Sequence, residues 1–141
     1  MIPRLIADAS RCQGCLACIN FCSMAKEGMA SPSRARLQVK LDPFGGETTI
    51  VTCRQCKKAQ CAEACPVEAI RLDSEGRYWT VDYEVCTGCQ ACVDACPFSA
   101  MMYYPIADRV IKCDTCDGNP TCADICPTGA LQWVGAEEER P

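Results

Sequence analysis

Sixteen Cys side chains and not one His carry whatever chemistry this 141-residue chain performs. They fall into four quartets that leave no Cys over. The first runs Cys12-x2-Cys15-x2-Cys18-x3-Cys22, and the third Cys86-x2-Cys89-x2-Cys92-x3-Cys96. The second is Cys53-x2-Cys56-x4-Cys61-x3-Cys65, and the fourth Cys113-x2-Cys116-x5-Cys122-x3-Cys126. Cys at this density serves a disulfide framework, a zinc scaffold or iron–sulfur clusters. The absence of His excludes Ser-His-Asp and Cys-His catalysis, haem held by His, Rieske centres and Cys/His zinc fingers.

Spacing separates the three uses. A zinc scaffold shows separated C-x2-C pairs rather than triplets followed by Cys-Pro, and is kept as the alternative from another class. Disulfides need an oxidising compartment. The first eleven residues, with Arg4 and Asp8 among them, hold no apolar run like a signal-peptide core. The expected location is therefore cytoplasmic, and no run approaches the length of a transmembrane segment. Clusters suit the triplets. C-x2-C-x2-C wraps three thiolates round one corner of a 4Fe–4S cubane and turns backbone N–H groups toward its sulfurs. Gly14 and Gly88, each just before the second Cys, let the backbone approach closely. In a C-x2-C-x2-C-x3-C-P run the fourth Cys ligates the other cluster of a pair. Four quartets thus imply two pairs and four clusters. A cubane with four Cys ligands has no open iron for a substrate, so one-electron transfer remains and no catalytic residue is assigned. Asp82, Glu84 and Asp94 read as solvated surface carboxylates.

The elements that must position these thiols are short. After the last Cys of three quartets the chain reads CPVEAIRL, CPFSAMMY and CPTGALQW, a repeat of duplicated units; the first quartet departs, with Ser23 after Cys22. Helical turns are expected over Cys61–Cys65, Gln90–Cys96 and Ala123–Cys126, each ended by the following Pro. An insert of 30 residues, Ser23 to Thr52, alternates Leu37, Val39 and Leu41 with polar residues, turns at Asp42–Gly46 and returns over Thr48–Thr52. That is a β-hairpin. A second is expected at Ile70–Leu72 and Trp79–Val81. Met101, Met102, Tyr103, Tyr104, Trp79 and Trp133 read as packing around clusters. Glu137 to Pro141 reads as a solvated end. Only 25 of the 141 residues are Leu, Ile, Val or Phe, so clusters must supply much of the core.

The third and fourth quartets with their CP-x-x-A tails resemble bacterial ferredoxins. All four, over residues 8 to 134, resemble the four-cluster ferredoxin-like subunits that serve molybdenum and tungsten oxidoreductases, hydrogenases and carbon monoxide dehydrogenase. The resemblance implies an α+β fold of two interlocked ferredoxin-like modules, with short helical turns and antiparallel hairpins, in one compact chain, residues 1–141. The inner module would span about 53–100, the outer 1–30 with 105–135, and the hairpin insert 31–52. It also implies pairing of outer with outer and inner with inner quartets. Cys12, Cys15 and Cys18 would then share a cluster with Cys126, and Cys113, Cys116 and Cys122 one with Cys22. Cys53, Cys56 and Cys61 would pair with Cys96, and Cys86, Cys89 and Cys92 with Cys65. The size of the chain is similar to that of electron-transfer subunits of tungsten aldehyde oxidoreductases. Electron subunits of benzoyl-CoA reductase, hydrogenase, formate or carbon monoxide dehydrogenase stand as alternatives, as does a free diffusible ferredoxin. The implied partners are a catalytic subunit carrying a tungsten- or molybdenum-pterin, in anaerobic metabolism, and a further redox protein. Head-to-tail self-association is permitted by exposed clusters at both ends.

Charge adds one expectation. The net charge is −4, which gives no reason to expect nucleic acid. Four clusters at about −2 each would add roughly −8. Cations must then lie near the clusters, and the loose concentration of Arg34, Arg36, Lys40, Arg54, Lys57 and Lys58 is where they are expected.

Overall fold

The computed structural model describes residues 4–134; the acidic end from Glu137 lies outside them. The described chain contains four short helices: α1 (Ala17–Glu27), α2 (Gln60–Ala64), α3 (Ala91–Ala95) and α4 (Thr121–Ile125). Eight strands form four two-stranded antiparallel ladders. β1 (Arg4–Ala7) pairs with β8 (Leu131–Val134), with Arg4 opposite Val134, and so joins the two ends of the described chain. β2 (Gln38–Leu41) pairs with β3 (Thr48–Val51), and β4 (Ile70–Leu72) with β5 (Trp79–Val81). β6 (Met102–Tyr104) pairs with β7 (Arg109–Ile111). Helix α1 packs on α4, and α2 on α3.

The helices stop where proline chemistry says they must. Cys65, Cys96 and Cys126 cap α2, α3 and α4 with extended backbone, φ −75°, −75° and −67°. The ring of the following Pro clashes with a helical conformation at the residue before it. Each of these three thiols therefore projects from a helix end, one residue beyond the helix rather than inside it. Without that Pro, α1 runs on past Cys22 to Glu27. Ser23 is fully buried there; its hydroxyl donates to the Asn20 carbonyl (3.0 Å) and accepts the Ser31 amide (2.9 Å).

Both expected hairpins are present, and their turns are held by Asp. The Asp42 carboxylate accepts the Phe44 and Gly45 amides, both at 2.9 Å, and Asp73 accepts those of Arg77 and Tyr78. The β6–β7 hairpin is new: its first strand lies in the segment expected only to pack. Met101 and Tyr104 are indeed buried, while Met102 and Tyr103 are half-buried. Two apolar clusters form the core. One gathers Leu5, Ile19, Ala35, Leu37 and Leu131 with Cys22 and Cys122; the other gathers Ile70, Met101 and Val110 with Cys92. Both are small, and thiols belong to each.

Candidate metal centre

One backbone device recurs in all four quartets. Two residues after the first Cys, the chain takes a positive φ: Gly14 (73°), Gln55 (47°), Gly88 (74°) and Thr115 (60°). This turn aims the amide back, so that the N–H groups of Gly14, Gln55 and Thr115 donate to Cys12, Cys53 and Cys113 Sγ at 3.4, 3.5 and 3.4 Å. Glycine is required at Gly88 by more than φ, and at Gly14 the space for a side chain is tight. A Cβ on Gly88 would sit 2.5 Å from the Asp108 carbonyl oxygen in the β6–β7 turn, and one on Gly14 3.1 Å from Leu41 of β2. Each of these hairpins therefore lies against one Cys loop.

A second device caps the last Cys. Three residues beyond Cys65, Cys96 and Cys126 stand Glu68, Ser99 and Gly129, at φ 54°, 55° and 69°. The amide of each bonds back to the Cys carbonyl, and the next residue, always Ala, points its N–H at the thiol. Ala69 reaches Cys65 Sγ at 3.2 Å and Ala100 reaches Cys96 Sγ at 3.4 Å. Burial pushes the Cys126 thiol up, but the amides of Leu131, Thr128 and Ala130 and the Thr128 hydroxyl outweigh it, and its pKa falls. The shared CP-x-x-A string is thus a thiolate-binding turn.

The quartets meet across the fold. Cys12, Cys15, Cys18 and Cys126 line one apolar cavity with Leu16, Val39, Ile50 and Leu131. Cys86, Cys89, Cys92 and Cys65 line a second with Val67, Ile70, Val81 and Val110. Cys53, Cys56, Cys61 and Cys96 line a third with Trp79, Phe98 and Met101. Burial pushes the Cys122 thiol up, and the neighbouring thiols of Cys113, Cys22 and Cys116 raise it further, so these four form the remaining set. Adjacent sets also feel one another: Cys18 acts on Cys122, Cys53 on Cys113, and Cys61 on Cys92. The order is then the Cys12, Cys22, Cys53 and Cys86 sets. Cys15 and Cys89, in the first and last, are the exposed thiols.

Desolvation raises seven of these thiols. It lifts Cys18 and Cys92 to about 11 and Cys113 to about 12. Ionised thiolates here need a cationic partner. A 4Fe–4S cluster fits the donors: all are sulfur, they surround cavities instead of converging on a point, and amides already address them. Among the described residues no three Cys, Asp or Glu side chains converge as ligands of a single ion. Such a cluster would supply one-electron chemistry.

Of the six expected cations, two stand at thiols. The Arg36 amide donates to Cys22 Sγ at 3.2 Å, and Arg54 lines the Cys53 cavity over the Phe98 ring. Arg34 binds the Tyr104 hydroxyl, Lys58 pairs with exposed Glu63, and Lys40 and Lys57 are exposed. Lys26 and Lys112, absent from that group, do stand near thiols: Lys26 near Cys116 and Cys22, Lys112 at Cys53. Lys112 directly precedes Cys113, but a Lys is so rarely buried that its position in the repeat is the one signal that could have marked it. Trp79 closes the Cys53 cavity and donates from Nε1 to the Cys56 carbonyl, whereas Trp133 packs on Tyr78. Glu84 and Asp94 are exposed and Asp82 is half-buried.

Comparison with known proteins agrees with this chemistry. Residues 52–100 and 78–127 each match a 4Fe-4S dicluster domain, and residues 9–25 a 4Fe-4S binding domain. The chain belongs to this ferredoxin-like 4Fe–4S family. It is 36% identical over 117 residues to the "Putative electron transport protein YsaA" of Escherichia coli, covering 78% of this chain and 73% of that protein. It is 34% identical over 110 residues to a tetrathionate reductase subunit of Archaeoglobus fulgidus, and 29% over 116 to NrfC of Escherichia coli. Those matches cover 77% and 78% of this chain but about half, 52%, of each relative. In fold it resembles a chain of the active site complex BamBC of benzoyl coenzyme A reductase, with a TM-score of 0.58 and 24% identity over 99% of this chain and 79% of that one. Among the described residues no helix is long and apolar enough to cross a membrane.

Proposed function

We propose that this protein is the non-catalytic electron-transfer subunit of an oxidoreductase complex. Single electrons pass through four 4Fe–4S clusters between a catalytic subunit and a further redox protein. The observation that carries this is the partition of 16 thiols into four sets in a row, with an exposed thiol in each terminal set. The clusters are held by Cys12, Cys15, Cys18 and Cys126; by Cys22, Cys113, Cys116 and Cys122; by Cys53, Cys56, Cys61 and Cys96; and by Cys65, Cys86, Cys89 and Cys92. The first two belong to an outer module of residues 1–30 and 105–135, supported by the β1–β8 and α1–α4 contacts. The others belong to an inner module of about 53–100, interlocked with the first, and residues 31–52 are the insert. A complete Cys shell leaves the iron no open site, so the protein's own work is to hold the clusters dry and close together.

The catalytic partner we favour is a tungsten-pterin aldehyde oxidoreductase subunit, in the cytoplasm of an anaerobic organism. The likeness to BamBC favours a benzoyl-CoA reductase as the second reading. Anaerobic purification with the native partners tests both levels. About 16 iron and 16 acid-labile sulfide per chain are expected, and zinc without sulfide would sink the cluster assignment. Tungsten and aldehyde oxidation in the co-purifying subunit identify the favoured partner, and benzoyl-CoA turnover the second. A monomer with full iron and no partner is instead a diffusible ferredoxin, and size that grows with concentration shows head-to-tail association.

A further inference from the structure

Lys112 places a charge where a charge is costly. It is 4% exposed, between the Cys53 and Cys22 sets. Its ammonium donates to Cys53 Sγ at 2.9 Å and to the Cys113 carbonyl at 3.2 Å. Among the described residues no carboxylate lies within ion-pair distance of it. Buried Gln55 donates to the same carbonyl at 2.8 Å, while its backbone amide donates to Cys53 Sγ. Two side chains therefore tie the Cys53 loop to the first Cys of the neighbouring set. A buried ammonium holds its proton only opposite an anion. Here the group that faces it is Cys53 Sγ, a ligand of the proposed anionic cluster.

Among the described residues, Lys112 is the buried cation without a carboxylate partner. Near Cys22, Lys26 is paired with Asp114 (2.6 Å), and buried Arg36 bonds Glu27 (2.8 Å), a carboxylate it shares with half-buried Arg109 (2.6 Å). No Lys or Arg lines the Cys12 or the Cys86 cavity. The Cys53 cavity has Lys112 within and Arg54 at its edge. An uncompensated positive charge stabilises the form of a cluster that carries one more electron.

Resting on the four-cluster reading, we propose that Lys112 is a positioning residue that raises the reduction potential of the cluster held by Cys53, Cys56, Cys61 and Cys96 above those of the other three. That cluster, next to the Cys22 set, becomes the station where an electron arriving from a neighbouring cluster resides. Only the electron moves.

The test is a redox titration followed by electron paramagnetic resonance on the anaerobic holoprotein, with K112M, K112Q and K112R. In the two neutral variants the signal that Cys96→Ser alters should lose at least tenfold in its reduction equilibrium, which is about 59 mV for one electron. K112R should restore it. If the neutral variants drop one cluster's iron while K112R keeps all four, the charge requirement stands. Loss of iron in all three variants overturns the proposal, because a packing role behaves that way. So does any other pattern, above all four unchanged midpoints at full iron. A wild-type protein without acid-labile sulfide fails differently: it removes the clusters themselves.

Discussion

Three of the four quartets end in one way, and the first in another. Beyond Cys65, Cys96 and Cys126, a Pro stops the helix and a left-handed residue aims the next Ala amide at the thiol. Everything needed lies within five residues. Cys22 instead sits inside the longer helix α1, and the amide that reaches it comes from Arg36, fourteen residues on, in the insert. That amide is held by tertiary contacts. Arg36 bonds Glu27 at 2.8 Å, Arg109 of β7 bonds the same Glu27 at 2.6 Å, and the Ser23 hydroxyl takes the Ser31 amide. The same requirement, an N–H on the last thiol of the quartet, is met locally three times and by long-range packing once. A local turn survives damage elsewhere; a tertiary one does not.

The largest expected effect removes both kinds at once. Stripping iron with a chelator should abolish the cooperative thermal transition, because thiols belong to both small apolar clusters. A metal-free chain with a native-like calorimetric transition would show that the two regions fold without the clusters. Next is Glu27→Ala, which leaves Arg36 buried without its carboxylate. A loss of about 3 kcal/mol is expected, with iron leaving the Cys22 set first. Equal iron loss from all four sets would erase the contrast. Burial pushes the Glu27 carboxyl up, but Arg36 and Arg109 outweigh it and hold it below its usual value. The advantage of wild type over Glu27→Gln is therefore complete above about pH 4.5 and shrinks as pH falls through the folded-state value. Iron-release rates of the two proteins, compared from pH 7 down to about pH 3, would read this.

Making the first quartet look like the others sharpens the contrast further. Ser23→Pro writes Cys-Pro into the interior of α1 and removes the hydroxyl that holds Ser31. It should cost about 3 kcal/mol. Pro66→Ser, at the end of α2, should cost well under half of that in the same denaturant titration. The smallest effect belongs to the local turns. Glu68 and Ser99 hold left-handed backbone without being Gly, as Gly129 does at the matching place. Glu68→Gly should stabilise the chain by up to about 1 kcal/mol, while Gly129→Ala should cost about as much. Opposite signs in thermal unfolding are the decisive result.

The repeat made much of this visible. Quartet spacing pointed to sulfur-bound clusters, and Pro placed the helix ends to within a residue. The two expected hairpins placed β4 and β5 as they stand, and β2 and β3 to within a residue. Ser23 stood out as a departure, although its role as a partner for Ser31 did not. The β6–β7 hairpin is not legible in the sequence, because Met101–Tyr104 has no polar alternation and Pro105 follows at once. Arg36 was marked as one of six cations, but the atom that touches a thiol is its backbone amide, which no side-chain pattern reveals. Lys112 lies apart from the cationic group, and only its place directly before Cys113 marks it in the sequence.

What the sequence by itself determined is the number and kind of donors: 16 thiols, in quartets whose φ pattern and CP-x-x-A turns follow from neighbouring residues. Short-range sterics and backbone hydrogen bonds suffice for that. Only the tertiary structure decided which thiols face one cavity, that Arg36 serves Cys22, and that Lys112 lies buried at Cys53. Those contacts join residues from 14 to more than 100 positions apart, through the β1–β8 ladder and the packing of α1 on α4. Local preference contains no information about such distances; burial and pairing across the fold supply it.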